Sequence, residues 1–187
     1  MRSSLTSSAR EAILRRRSHS RVTEDAPTHE QLLPLVAAAG TVADHGSLHP
    51  WRLIELRGDA RSRLGAAFVE ASRLEGKDAR SLAEKPLRAS LLIAVVARRQ
   101  PSFKVPAWEQ DATAAGVAHA LSLLLDEAGW GVLWRTGGHT RSEPVRRMHE
   151  LADNEELLGW LYVGGVIPGK DKPRKPFDPE PYLSVLS

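Results

Sequence analysis

The sequence predicts an α+β domain, a central sheet of about four strands flanked by helices. Three observations predict it. Helical and strand-like patterning are intermixed along the chain without strict strand–helix–strand alternation. Residues 90–97 (Ser-Leu-Leu-Ile-Ala-Val-Val-Ala) form a continuous apolar run rich in β-branched side chains, the pattern of a strand buried on both faces. Residues 108–128 are helical in pattern and apolar nearly all round, which marks a buried helix.

Each element follows from local chemistry. Ser8-Ala-Arg-Glu11 is a capping box that opens a helix over residues 9–17. A polar stretch runs to Pro27. Thr28-His-Glu-Gln31 is a second capping box, opening a helix that ends near Gly40. Pro34 lies inside that helix, so a kink or a late start is expected. Residues 41–50 read as a loop, and residues 51–57 alternate like a strand. Asp59 is placed to cap a helix reaching about Leu74, and a short helix is expected near residues 78–85. The helix over 108–128 carries Ala112, Ala115 and Gly116, small enough for another helix to approach closely. A core helix and a dimer-interface helix both fit. Residues 130–135 and 159–165 read as strands, and Ser142 with Pro144 starts a helix reaching about Leu151. After Pro168 the texture changes. Five of the twelve prolines fall in the last twenty residues, among Lys170, Lys172, Arg174 and Lys175, so this segment is extended. Phe177, Tyr182, Leu183 and Val185 suit an arm packed on the body or on a partner subunit as well as a solvated tail.

Composition narrows the function classes. The 187 residues are read as a single domain, and 42% hydrophobic with 26% charged residues rules out a wholly disordered chain. There is no cysteine, which excludes disulfides, thiolate metal sites and a cysteine nucleophile. Redox chemistry would therefore need a cofactor. The longest apolar run, residues 91–97, is far short of the roughly 18 residues of a membrane span. No apolar stretch follows Arg2, so no secretory signal is read and a soluble cytoplasmic protein is expected. The net charge is only +3, yet twenty of the 26 basic residues are arginine. Arginine suits bidentate phosphate contacts, although a GC-rich coding sequence produces the same bias.

Standard motifs are mostly missing. There is neither a GxSxG elbow nor a GxxxxGK[ST] loop. Gly129-Trp-Gly131 begins like a dinucleotide fingerprint. However, Trp134 stands where the third glycine belongs, and a strand follows instead of a helix. His45 and His49 are four apart beside Asp44, but Gly46, Ser47 and Pro50 make this a loop, so no metal site is expected. His119, on the apolar helix, reads as a core histidine. The run from Arg15 to Arg21 (Arg-Arg-Arg-Ser-His-Ser-Arg) is the densest basic cluster. It fits a helix C-terminus complementing the dipole, a nucleic-acid patch without interleaved aromatics, or a phosphate clamp of two guanidiniums and a serine hydroxyl. The cluster alone does not choose.

Three further segments are informative together: residues 43–51 (Ala-Asp-His-Gly-Ser-Leu-His-Pro-Trp), residues 104–110 (Lys-Val-Pro-Ala-Trp-Glu-Gln) and residues 129–137 (Gly-Trp-Gly-Val-Leu-Trp-Arg-Thr-Gly). With Arg16-Arg17-Ser18 in front, this set resembles the nitroreductase family of FMN flavoproteins, in particular its compact subgroup of short chains. The resemblance covers residues 10–165. It implies a mostly antiparallel sheet in an intertwined homodimer, with two FMN sites at the subunit interface and residues 168–187 as an extended arm. It also implies electron transfer from NAD(P)H through flavin N5 to an electron-poor acceptor, such as a nitroaromatic or a quinone.

Residue by residue, the resemblance implies that Arg16, Arg17 and Ser18 hold the FMN phosphate and ribityl chain, with Arg21 a secondary candidate. Thr41 and His45 would reach the flavin of the neighbouring subunit, anchored by Pro50 and Trp51. Trp134, Arg135 and Thr136 would approach the flavin at the strand end. The subgroup often has arginine where Thr41 stands and proline where Ala43 stands, and usually a serine-like residue at Thr136. No acid–base residue, metal, membrane or nucleic acid is expected. Trp51, Trp108 and Trp134 are candidates to line an aromatic cavity, core packing being the plainer reading for Trp108. Two other readings compete: a basic module contacting nucleic acid through Arg15–Arg21, and a family member that has lost flavin.

Overall fold

In the computed structural model, residues 8–169 and 175–186 are described. Six helices and four strands follow in the order α1 (Ala9–Arg15), α2 (His29–Ala39), β1 (Trp51–Leu56), α3 (Asp59–Ser72), α4 (Gly76–Ala83), β2 (Leu91–Arg98), α5 (Ala107–Glu127), β3 (Trp130–Arg135), α6 (Glu143–Met148) and β4 (Glu155–Gly165). The strands form one sheet of order β1-β2-β4-β3, and every neighbouring pair is antiparallel.

Strand β2 lies at the centre, and its sequence explains the three layers. Successive side chains point to opposite faces of the sheet. Leu91, Ile93 and Val95 enter one core with Leu32 of α2 and Val117, Ala118, Leu121 and Leu125 of α5. Leu92, Ala94 and Val96 enter the other, with Leu64 and Phe68 of α3, Leu82 of α4 and Val145 of α6. Both faces of β2 are covered, so its apolar run is unbroken. Truncating one of its leucines to alanine is expected to cost about 2–5 kcal/mol.

Several boundaries differ from expectation for identifiable reasons. Helix α1 stops at Arg15, because Arg16 has ψ 134. Helix α2 runs unbroken through Pro34, which is exposed, so water is available to the carbonyl that loses its partner. Asp59 is the first residue of α3 and does not cap it; Gly58 occupies the cap with φ 49. Strand β4 begins at Glu155, four residues before the expected start. A bulge opposite Val95 and Val96 pairs those residues with Gly159 and Leu157, and the extra residue breaks the period-two pattern.

Polar contacts fix the ends of these elements. The Arg52 guanidinium of β1 donates to both Glu155 carboxylate oxygens at 2.6 and 2.7 Å. This holds the Glu155 carboxyl below the usual carboxylate range. Arg99, after β2, pairs with Asp111 of α5 and Glu156 of β4. The buried Gln110 amide donates to the Gln100 and Val105 carbonyls at 2.9 and 3.1 Å and accepts from the Gln100 N–H at 2.8 Å. The N-terminal end of α5 is thereby tied to the sheet.

Residues 175–186 are extended except for a short turn at Glu180–Tyr182. Phe177, Tyr182, Leu183, Val185 and Leu186 are all exposed, and the Phe177 and Tyr182 rings stack at 5.2 Å. Lys170, Lys172, Pro173 and Arg174 lie outside the described residues. Among the described residues no helix is long and apolar enough to cross a membrane.

Candidate functional site

Strand β3 is at the edge of the sheet, and the chain after α1 covers it. Ser18 bridges Val132 in parallel, and the His19 N–H donates to the Val132 carbonyl at 2.9 Å. Further on, the Thr23 N–H donates to the Gly165 carbonyl, and the Gly165 N–H donates to that of Asp25, both at 2.9 Å. The crossing requires a backbone without side chains beneath it. Gly131 and Gly164 are cross-strand partners. A Cβ on Gly164 would lie 2.6 Å from Val22 Cγ2 and 2.7 Å from the Thr23 carbonyl. Gly131 therefore acts as a saddle for Val22 and belongs to no nucleotide fingerprint.

This crossing sets Arg16 and Ser18 against α5 and β3. A cavity of about 140 Å3 is lined by Arg16, Ser18, His119, Ser122, Val132 and Trp134. Arg16 Nη1 donates to Ser18 Oγ at 3.4 Å. The Trp134 ring meets His119 edge-on at 5.0 Å, and its indole N–H is buried with no hydrogen-bond partner among the described residues. Such a donor is costly to leave unpaired. Nearby, Gly159 has φ +138, and a Cβ there would come within 2.4 Å of the Arg135 carbonyl. That glycine lets β4 pass the end of β3.

Arg17 does not line this cavity. Its guanidinium donates to the carbonyls of Leu14, Arg15 and Arg16 at 2.9, 3.2 and 3.3 Å, capping the end of α1. Its backbone N–H donates to Asp126 of α5 at 3.3 Å, and Arg15 pairs with the same carboxylate at 3.9 Å. Arg21 lies elsewhere again, in a groove with Ser20, Val22, Arg88 and Ile167. The basic run is thus distributed over several separate places.

Thr41 and His45 are also apart from Arg16 and Ser18. The Thr41 hydroxyl donates to the Ala38 carbonyl at 2.8 Å, closing α2. His45 Nδ1 lies 2.8 Å from Glu109 Oε2, in a second cavity of about 450 Å3 that Trp108, Ala112 and Gly116 also line. Its loop is held by the His49 N–H donating to Asp44 at 2.8 Å. Trp108 is not packed in the core: 68% of it is exposed. Pro50 is buried and Trp51 packs against the core, as an anchor should.

The strand end serves both faces of the sheet. Trp134 lines the Arg16 cavity and also the cavity described next. Arg135 and Thr136 line a third cavity, of about 390 Å3, with Phe68, Trp160 and Tyr162 from the opposite core. The expectation missed His119 and Ser122. His119 is exposed and lies on one strip of α5 with Ala112 and Gly116. The 112–116–119 spacing was the available signal. It is masked because the other faces of α5 are apolar too. Among the described residues no group of His, Cys, Asp or Glu could hold a metal.

Comparison with known proteins bears on the family and the fold. The sequence model of the nitroreductase family matches residues 13–165. The chain is 35% identical over 159 residues to YdjA of Escherichia coli K12, named an NAD(P)H nitroreductase, covering 83% of this chain and 87% of that one. It is 28% identical over 178 residues to a similarly named protein of Haemophilus influenzae, covering 91% and 95%. Among solved structures, a nitroreductase-like protein of Bacillus cereus superposes with a TM-score of 0.79 at 21% identity, over 94% of each chain. The FMN- and NADPH-dependent nitroreductase NfnB of Sphigopyxis sp. strain HMH gives 0.74 at 16% identity, over 96% of this chain and 99% of that one. The chain belongs to the nitroreductase family.

Proposed function

We propose that this protein is an FMN flavoprotein oxidoreductase that passes electrons from NAD(P)H to an electron-poor small molecule, such as a nitroaromatic or a quinone. One observation carries the reading: Arg16 and Ser18 converge with Trp134 in one cavity, in a chain of this family. A phosphate dianion suits that pair. Arg16 supplies charge-assisted donors, and the Ser18 hydroxyl supplies a neutral one. Trp134 supplies an aromatic wall of the same cavity.

Arg17 acts from behind the site. By gathering three carbonyls at the end of α1, it holds the turn that presents Arg16 and Ser18. The flavin, when bound, supplies the hydride chemistry. Anchoring at the phosphate is equal before and after electron transfer, so Arg16 and Ser18 retain the cofactor without accelerating the reaction. No side chain is assigned as an acid or base.

The same reading makes the protein a homodimer. The strip of α5 containing Trp108, Ala112 and His119 is exposed, and the arm beyond residue 175 leaves five large apolar side chains uncovered. Contact through this strip and arm would let Thr41 and His45 serve the neighbouring subunit's flavin.

The test is the visible spectrum of the purified protein, with identification of any flavin released on denaturation. Flavin bands and FMN stoichiometric with the chain are expected, with Arg16→Ala folding normally but losing the colour. A colourless wild-type protein that takes up no added FMN would overturn the reading. Sedimentation as a monomer would overturn the dimer.

A further inference from the structure

The groove beside Ser20 carries charge that the flavin reading leaves unused. Ser20, Arg21 and Val22, on the chain that crosses β3, line it together with Arg88, on the turn after α4, and Ile167, beyond β4. At about 520 Å3 it falls in the range of small-ligand sites, about 300–1,000 Å3. Backbone contacts fix both of its sides. The His19 and Thr23 N–H groups donate to the Val132 and Gly165 carbonyls, which pins the Arg21 backbone between them. Opposite, the Leu87 N–H donates to the Glu84 carbonyl at 3.0 Å, and Arg61 Nη1 donates to the Ala89 carbonyl at 2.7 Å. Pro86 and Ala89 are buried, so the turn that carries Arg88 is anchored. Two guanidiniums from distant parts of the sequence thus meet in one groove.

These two cations lack counter-ions. Arg21 and Arg88 make no ion pair and no side-chain hydrogen bond among the described residues. Elsewhere Arg52, Arg99 and Arg147 are each paired with a carboxylate. No acidic side chain lines the groove; Val22 and Ile167 are its apolar wall, and Ser20 adds a hydroxyl. Such a lining suits a phosphate monoester, which carries about −1.5 to −2 charge near pH 7. The flavin phosphate does not need it, because Arg16 and Ser18 serve that group in the proposed function. The groove is nevertheless close by. Arg21 follows Ser18 by three residues, at most about 10 Å of extended chain. Arg88 also lines the cavity at the end of β3, with Trp134, Arg135 and Thr136.

Taking the flavin reading as given, we propose that this groove receives the 2′-phosphate of NADPH, so that the protein prefers NADPH to NADH as its reductant. The two dinucleotides differ only at that ribose. A site for the unphosphorylated ribose uses a carboxylate that accepts from the 2′-hydroxyl, whereas a site for the 2′-phosphate uses arginine. Here two arginines are present and a carboxylate is not. The nicotinamide and the pyrophosphate are common to both molecules and contribute nothing to the choice. Arg21 and Arg88 discriminate because only the phosphorylated ribose gives them an anion to pair with.

Calorimetric titration of the purified protein with NADP+ and with NAD+ reads this choice without turnover. NADP+ should bind at least about tenfold more tightly, and R21Q/R88Q should weaken it to the NAD+ value. Both side chains are exposed, so the variant should keep the wild-type Tm. With a quinone as acceptor, the ratio of kcat/KM for NADPH to that for NADH should fall at least about tenfold in the variant. Equal binding of the two dinucleotides by the wild type would overturn the proposal. So would an unchanged NADP+ dissociation constant in R21Q/R88Q. Inorganic phosphate binding as tightly as NADP+ would reduce the groove to a bare anion site, and loss of FMN from R21Q/R88Q would give these arginines to the flavin; either result overturns it. A colourless protein would sink the flavin reading, yet its relative affinity for NADP+ and NAD+ still decides this one, so the two fail separately.

Discussion

Gly164→Ala is a small change with a large expected effect. The residue pairs with Gly131 across β3 and β4, and Val22 sits over the pair. Its φ is not in the left-handed region, so the cost is purely steric. An added Cβ would stand 2.6 Å from Val22 Cγ2, 2.7 Å from the Thr23 carbonyl and 2.8 Å from Val22 Cβ. Carbon atoms settle at about 3.5–4.0 Å, so the segment carrying Val22 must retreat by roughly 1 Å. Two of the contacts are with a β-branched stem and backbone, which cannot rotate away. Overpacking of this kind costs about 1–3 kcal/mol, which lowers Tm by about 3–10 °C in a domain of this length. The displaced segment carries the His19→Val132 and Thr23→Gly165 hydrogen bonds. Thermal unfolding and amide hydrogen exchange measure both effects: His19 and Thr23 should lose protection while the β2 amides keep theirs. A Tm within about 1 °C of wild type, with His19 and Thr23 still protected, would refute the saddle.

Arg52→Met leaves the buried Glu155 carboxylate with only the Ala152 N–H, and is expected to cost about 2–4 kcal/mol at pH 7 by denaturant titration. Because Arg52 depresses the Glu155 pKa, this contribution is complete above the unfolded value of about 4.3. It fades as pH falls through the folded value, so the gap to wild type should narrow in acid. His149→Leu removes the acceptor of the Trp160 indole N–H, at 3.0 Å, and should cost about 1–3 kcal/mol. Burial lowers the His149 pKa, so wild-type stability declines as pH falls below about 6.5, and the penalty of the variant should be smaller at pH 5.5 than at pH 7.5. Gly159→Ala combines φ +138 with a 2.4 Å contact to the Arg135 carbonyl, and its fall in Tm should exceed that of Gly164→Ala. Removing residues 175–187 deletes the exposed apolar arm and should weaken self-association in sedimentation while the monomer still folds.

Much of the architecture was legible because it depends on local chemistry. The capping boxes at Ser8 and Thr28 mark the starts of α1 and α2, both with reciprocal side-chain bonds. The unbroken run 91–97 is the central strand, because both its faces meet helices. Family membership was legible because four separated segments kept their order. The β4 start was not, since the bulge at Val95 and Val96 removes the alternation on which strands are recognised. Trp108 was misjudged because an aromatic on an apolar helix carries no mark of which side faces solvent.

The sequence by itself determined most of the elements and the family, and it singled out Arg16, Ser18 and Trp134, which line one cavity. Only the tertiary structure decided how the basic run divides. Arg16 faces α5, Arg17 turns back on α1, and Arg21 joins Arg88 in another groove. The physical reason is the chain's passage around the edge of β3 over a glycine pair. Residues adjacent in sequence end up in separate cavities, and spacing along the chain carries no information about such a crossing.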